Sequence, residues 1–293
     1  MALYAAQTER GIATSAARFP QDSARSMADS TIVPAEACTR LIVFAILLGL
    51  LILWERWAAT RVIHISRARR WSTNFGIGLF DTLLLRFIFP AGAVGAALFA
   101  TKQHTGFFHH VPVTGYQAIV ASLLLLDLTI YLQHRLLHAV PWLWRIHRVH
   151  HADPEIDVST ALRFHPLESV LSMLLKTAVV ICFGMPAIGV LLFEMILNSA
   201  AMFNHTNASL PYHLEPWARW IVVTPDMHRI HHSTNPADAN RNFGFSVSWW
   251  DRLLGSYRRP LGTAFPKSIG LPDGKATPEH VRLIWLLLMP FRG

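Results

Sequence analysis

Charge is what this chain has least of. Asp, Glu, Lys and Arg make up only 15% of its 293 residues, against roughly a quarter in an ordinary soluble domain. Hydrophobic residues make up 52%, so a membrane class comes first and a conventional soluble enzyme is disfavoured. Acidic residues are the scarcer sign: 18 against 26 Lys plus Arg leave a formal charge of +8. Two things produce such an excess, nucleic-acid binding and the Lys/Arg bias of cytoplasmic loops. Long apolar runs decide for the second, and no nucleic-acid partner is expected. There are two cysteines, Cys38 and Cys182, with no CxxC spacing. That excludes a disulfide framework and an iron–sulfur cluster, and leaves both as packing residues. Residues 1–37 lack the apolar core of a signal peptide and carry Glu9, Asp22, Asp29 and Glu36, which a transit peptide would avoid. They read as a disordered N-terminal tail.

What the chain does have is hydrocarbon in blocks. Leu41 to Trp54 is almost unbroken and, with its flanks, approaches the ~20 residues that cross a bilayer. A basic loop follows, with Arg56, Arg61, Arg67, Arg69 and Arg70, expected on the cytoplasmic side. Residues 75–100 form a second segment. It is interrupted by Asp81 and Arg86, expected to face other helices or head groups, and kinked at Pro90. Residues 101–115 read as a far-side loop, and Gln117 to Leu132 brings the chain back. Asp127 in that segment is either an acceptor behind a metal-bound imidazole or a structural hydrogen bond between helices. Residues 169–203 form a hairpin split near Gly184-Met-Pro186, with Glu194 and Asn198 pointing inward. Trp142 and Trp144 fit the membrane interface. The run Leu283 to Met289 is too short to span and reads as an interfacial or packing helix. The expectation is an all-α membrane protein of about four transmembrane helices, with a tail at 1–37, a membrane-embedded domain at 38–262 and a C-terminal extension at 263–293. A cytoplasmic helical cap carries a histidine-rich dimetal site.

That site is the chain's strongest pattern. Of 16 histidines, eight fall in three boxes: His134 and His138; His147, His150 and His151; His228, His231 and His232. Residues four apart stack on one face of a helix, so each box presents imidazoles together, and the topology above puts all three boxes on one side of the membrane. Imidazole is the commonest protein metal ligand. A single mononuclear site uses three or four ligands, so eight point to two metals. Iron and zinc both suit imidazole, and only iron does O2 chemistry. No box has the His-Glu-x-x-His of a zincin. The alternative class is a non-enzymatic metal-binding or metal-transporting membrane protein. His104, His109 and His110 read as loop residues, and His64, His213 and His280 as surface or packing residues.

The order HxxxH, HxxHH, HxxHH around a membrane hairpin resembles the fatty acid hydroxylase and sterol desaturase superfamily of integral-membrane di-iron oxygenases. The resemblance covers about 75–260 and extends to Arg163-Phe-His-Pro-Leu-Glu168, Thr224-Pro-Asp-Met-His228, Asn242-Phe-Gly244 and Trp250-Asp-Arg-Leu-Leu-Gly255. It implies two Fe ions and O2 as co-substrate, and hydroxylation or desaturation of a lipid such as a sterol, a fatty acyl chain or another membrane lipid. Electrons would come from an external donor: a b-type cytochrome, a ferredoxin or a reductase. Carried over by position, it implies that the eight box histidines are metal ligands and that His205 is a ninth. His165 matches less well and stands between further ligand and structural residue. Arg135, Arg145 and Arg148 stand between docking an acidic electron carrier and contacting lipid phosphate.

Overall fold

Twelve α-helices and four short 3-10 turns make up the regular structure of the described residues, and no strand beyond isolated bridges occurs among them. The structure is a computed structural model. It describes residues 38–260, 266, 268–271 and 278–292. The expected tail at 1–37 lies outside the described residues, as does part of 263–293.

Six helices are long: α1 (Cys38–Ala58), α2 (Arg67–Ile88), α3 (Gly92–Gln103), α4 (Gly115–Ala139), α6 (Pro166–Phe183) and α7 (Ala187–His205). Five stretches are long and apolar enough to cross a membrane: α1, residues 67–109 holding α2 and α3, α4, α6 and α7. About four spans were expected and five stretches have the length; the hairpin supplies two of them, with arms of 18 and 19 residues. The break between α2 and α3 falls at Phe89 to Ala91, beside Pro90 as expected, since proline removes a helix hydrogen bond. Leu79, Leu83 and Phe87 stand exposed on α2, as lipid-facing residues do. Residues 38–43 are the opening turns of α1, and from Phe44 onward the chain is one compact unit.

Turn chemistry sets the ends that matter for the site. A reciprocal capping box of Thr114 and Gln117 starts α4, which then runs 25 residues, roughly 37 Å at 1.5 Å per residue, carrying His134 and His138 at its far end. Pro141 stops it and opens α5 (Pro141–His151) at the position where a missing N–H costs nothing. Gly184 ends α6 with φ +64°, and Gly106, at φ +99°, lies against it so closely that a Cβ would sit 2.1 Å from the Gly184 nitrogen. The 106 loop and the hairpin tip therefore meet at one end of the bundle.

At the other end the short helices α8 (Glu215–Ala218), α9 (Pro225–His231), α10 (Pro236–Ala239), α11 (Trp249–Leu253) and α12 (Leu283–Leu288) build the cap. α12 is a packing helix: Leu286 and Met289 form a small core with Ile77, Val149 and Ala152. One expectation about arginines is corrected here. Arg70 is not loop charge, because α2 already starts at Arg67. It is fully buried, paired bidentately with Asp153 at 2.9 Å and with Asp157 at 2.6 Å. Arg145 and Arg148 hold the C-terminal segment by donating to the carbonyls of Pro290 and of Met289.

Candidate metal centre

The nine histidines singled out from the sequence converge on two adjoining clusters. One contains His134, His138, His147, His151 and His231; the other contains His150, His205, His228 and His232. In each, one ring nitrogen per residue lies within 4.8 Å of all the others, and neither cluster includes a carboxylate or a thiol. His138 is partly buried and the other eight are buried.

Helical geometry explains the sorting. Successive helix residues are about 100° apart, while residues four apart align. In the second box His147 and His151 go to the five-histidine cluster and His150, a neighbour in sequence, goes to the other. In the third box His228 and His232 go to the four-histidine cluster and His231 crosses to the five. Each HxxHH box thus straddles both clusters.

Five of the outer nitrogens are anchored by the surrounding fold. His134 Nδ1 bonds the Phe243 carbonyl at 2.7 Å, His231 Nδ1 that of Arg241 at 2.9 Å, His205 Nδ1 that of Ala201 at 2.6 Å, and His150 Nδ1 that of Arg163 at 3.3 Å. His147 Nδ1 donates to Glu168 Oε1 at 2.9 Å. Such partners fix the tautomer and turn Nε2 inward.

The inner nitrogens fit metal ions by two observations. Nε2–Nε2 separations are 3.1 Å for His134–His147, 3.0 Å for His205–His150 and for His205–His228, and 3.2 Å for His205–His232 and for His228–His232. Nitrogens bound at about 2.0–2.1 Å to one ion lie this far apart. Meanwhile Nε2 of His138, His151 and His231 is buried with no hydrogen-bond partner in the protein, a costly state unless the lone pair has an acceptor such as a cation. Burial, reinforced by the neighbouring imidazoles, holds His147, His150, His151, His228, His231 and His232 well below the ordinary histidine range. They are neutral at pH 7, the form that donates to a metal.

The motifs beside the third box are supports. Asp251 accepts the Phe243 and Gly244 amides at 2.8 and 2.9 Å and the Ser256 hydroxyl at 2.7 Å, which holds the Phe243 carbonyl against His134. A Cβ on Gly244 would meet Asp251 Oδ2 at 2.8 Å. Asn242, at φ +53°, closes the turn with its side chain on Met227, Arg258 and the 258 amide. Thr224 caps α9 and Pro225 opens it. Arg163 is buried, donates to the Val149 and His280 carbonyls and to Asn74, and so fixes the carbonyl that meets His150. Burial lowers its pKa to about 10, and it stays charged.

Other candidates separate from the clusters. His165 has both ring nitrogens engaged, Nδ1 capping α6 at the Leu167 amide and Nε2 on the Leu287 carbonyl, and so is structural. Asp127 accepts the Trp250 indole N–H at 2.8 Å and touches no histidine; the acid behind the centre is Glu168, which the sequence offered inside RFHPLE without assigning it a role. Trp144 packs on His138 and His151, with centroids at 4.8 and 5.2 Å, instead of marking the interface, while Trp142 is exposed. His104 and His109 pack edge to face on the 101–115 loop, away from both clusters.

A cavity of about 270 Å³ opens onto the five-histidine cluster at His134 and His147. It is walled by α2, α4, α6 and α7 together with the 161–164 segment and Phe245 of the cap, and Ile130, Leu137 and Met173 are among its other apolar residues. Asn198 lines it, and Glu194 reaches its edge by accepting from Lys176 at 2.6 Å.

Residues 119–256 match the fatty acid hydroxylase family model. The chain is 29% identical over 175 residues to an ornithine lipid hydroxylase of Rhizobium tropici, covering 59% of this chain and 51% of that protein. It is 28% identical over 175 residues to an alkylglycerol monooxygenase of Xenopus tropicalis (54% and 35% of the two chains), and 28% over 148 residues to a cholesterol 25-hydroxylase of Rattus norvegicus (48% and 46%). The chain thus spans about half or less of the length of these relatives. No solved structure matches.

Proposed function

Because residues 119–256 match the fatty acid hydroxylase family model, we propose that the protein is a multi-pass membrane oxygenase that inserts oxygen into a C–H bond of a lipid. The observation that carries this reading is a cavity between membrane-length helices that ends on one of two all-imidazole clusters. The match to lipid hydroxylases and a monooxygenase supports the same reading.

In this reading His134, His138, His147, His151 and His231 hold one iron, and His150, His205, His228 and His232 hold the other. Bound there, two irons supply O2 activation: one oxygen atom enters the C–H bond, the other leaves as water, and two electrons and two protons are consumed. The chain's own residues do the rest. Glu168 and the carbonyls of Phe243, Arg163, Ala201 and Arg241 keep Nε2 aimed inward. The apolar residues of the cavity exclude bulk water and position the alkyl part of the substrate, which enters sideways from the bilayer between the membrane-length helices α2, α4, α6 and α7 that supply much of its lining. With Arg56, Arg61, Arg67 and Arg69 near the start of α2, the centre is assigned to the cytoplasmic face, where an external electron carrier reaches it. Hydroxylation is preferred to desaturation because it needs no second aligned C–H bond.

Two measurements test this. Purified protein should hold about two irons per chain, the number its two clusters accommodate, and consume O2 on reduction. Lipids from cells expressing it should show a mass gain of one oxygen that cells without it lack. One zinc, with no redox response, would reject the reading in favour of a metal-binding membrane protein.

A further inference from the structure

The cavity is not lined by hydrocarbon alone. Three acceptor oxygens on its wall, Asp81 Oδ1, Gln133 Oε1 and Glu168 Oε2, are buried with no donor in the protein. The three residues are only 7%, 6% and 4% exposed. Each is pinned by its other end: Asp81 Oδ2 accepts from Ser169 at 2.7 Å, Gln133 Nε2 donates to Ser172 at 2.5 Å, and Glu168 Oε1 accepts from His147 Nδ1 at 2.9 Å. Their orientations are thereby set, with one oxygen each left over. The cation on the wall, Lys176, is already matched by Glu194 at 2.6 Å. What the wall lacks is donors, and positive charge opposite two carboxyl groups.

A hydrocarbon offers no donors and a lone hydroxyl offers one. A primary ammonium offers three N–H donors and the complementary charge. We infer that the cavity takes the primary ammonium end of an aminolipid, held by Asp81, Gln133 and Glu168. Glu168 is one hydrogen bond from His147, so a nitrogen held there puts its neighbouring carbons beside the five-histidine cluster. Oxidation then falls on the head-group side of the lipid, not in mid-chain. The choice of oxidised carbon rests on the hydroxylase reading; the binding does not.

The test uses full-length iron-loaded protein in zwitterionic nanodiscs, with empty nanodiscs as background. Retention of dodecylamine, N-acetyldodecylamine and dodecanol is measured by native mass spectrometry. The amine should be held about tenfold more tightly than the other two, because a site with buried acceptors rejects analogues lacking the donor. Asp81→Asn should remove most of that preference and Gln133→Leu a smaller part, both with iron content unchanged. Equal retention of the three probes overturns the assignment. If Asp81→Asn loses its iron through misfolding, the wild-type contrast and Gln133→Leu still decide. The same samples are then reduced under O2. Amine preference without oxygen gain leaves the cavity assignment standing and removes the oxygenase reading; oxygen gain with no amine preference does the reverse.

Discussion

The five-histidine cluster lies against a cavity, through His134 and His147, while none of the four histidines of its neighbour lines that cavity. The two are also braced by different means. Behind the open cluster stands a single carboxylate, Glu168, with backbone carbonyls from the 241–243 turn. Behind the closed one lies a buried ionic lattice. Arg70 grips Asp153 and Asp157, Asn74 donates to Asp153 and accepts from Arg163, and Arg163 presents its carbonyl to His150. The same side chain thus sits in two enclosures, one bordering a cavity and one not. The lesson is that residue type does not distinguish the two clusters; access and bracing do.

The largest effect should come from removing a ligand on either side. His231→Ala and His205→Ala should each abolish product, with iron by elemental analysis falling from about two to about one per chain. Retained turnover in the His205 variant would mean that the sealed position takes no part. Next, Asp153→Ala should leave the Arg70 guanidinium buried without its bidentate partner and cost about 3–5 kcal/mol of stability in denaturant unfolding. Its metal loss should start at the sealed site. A shift of Tm no larger than that of a surface mutant would show that the lattice does not brace it.

A smaller effect is expected on the open side alone. Glu168→Gln keeps an acceptor oxygen for His147 but removes the carboxylate, and activity or metal affinity should fall roughly 10–100-fold. Equal loss of metal from both positions would erase the distinction between them. At the bottom of the scale, His109→Ala should leave product yield and iron content as they are, since it lies on the remote 101–115 loop. A loss of iron there would show that imidazoles outside the two clusters also bind it.

The apolar blocks, the order of the boxes and the i, i+4 pairing within each box were legible in the sequence, because they depend on periodicity along one helix and on the cost of burying polar groups in hydrocarbon. His147 with His151 and His228 with His232 could be paired in that way before any coordinates. Which cluster each pair joins could not. It depends on how α4, α5, α7 and α9 cross, and hence on contacts between residues tens of positions apart. The same holds for the acid behind the centre. Asp127 lies two turns before His134 on the same helix, yet it takes a tryptophan N–H from α11, whereas Glu168, on another helix, reaches His147. Arg70 shows the converse error: read as loop charge, it became the middle of a buried lattice once α2 packed on the 153–163 segment. Local spacing fixes what a helix presents, and only packing fixes what it meets, because side-chain chemistry is satisfied by whichever partner the fold brings within about 3 Å.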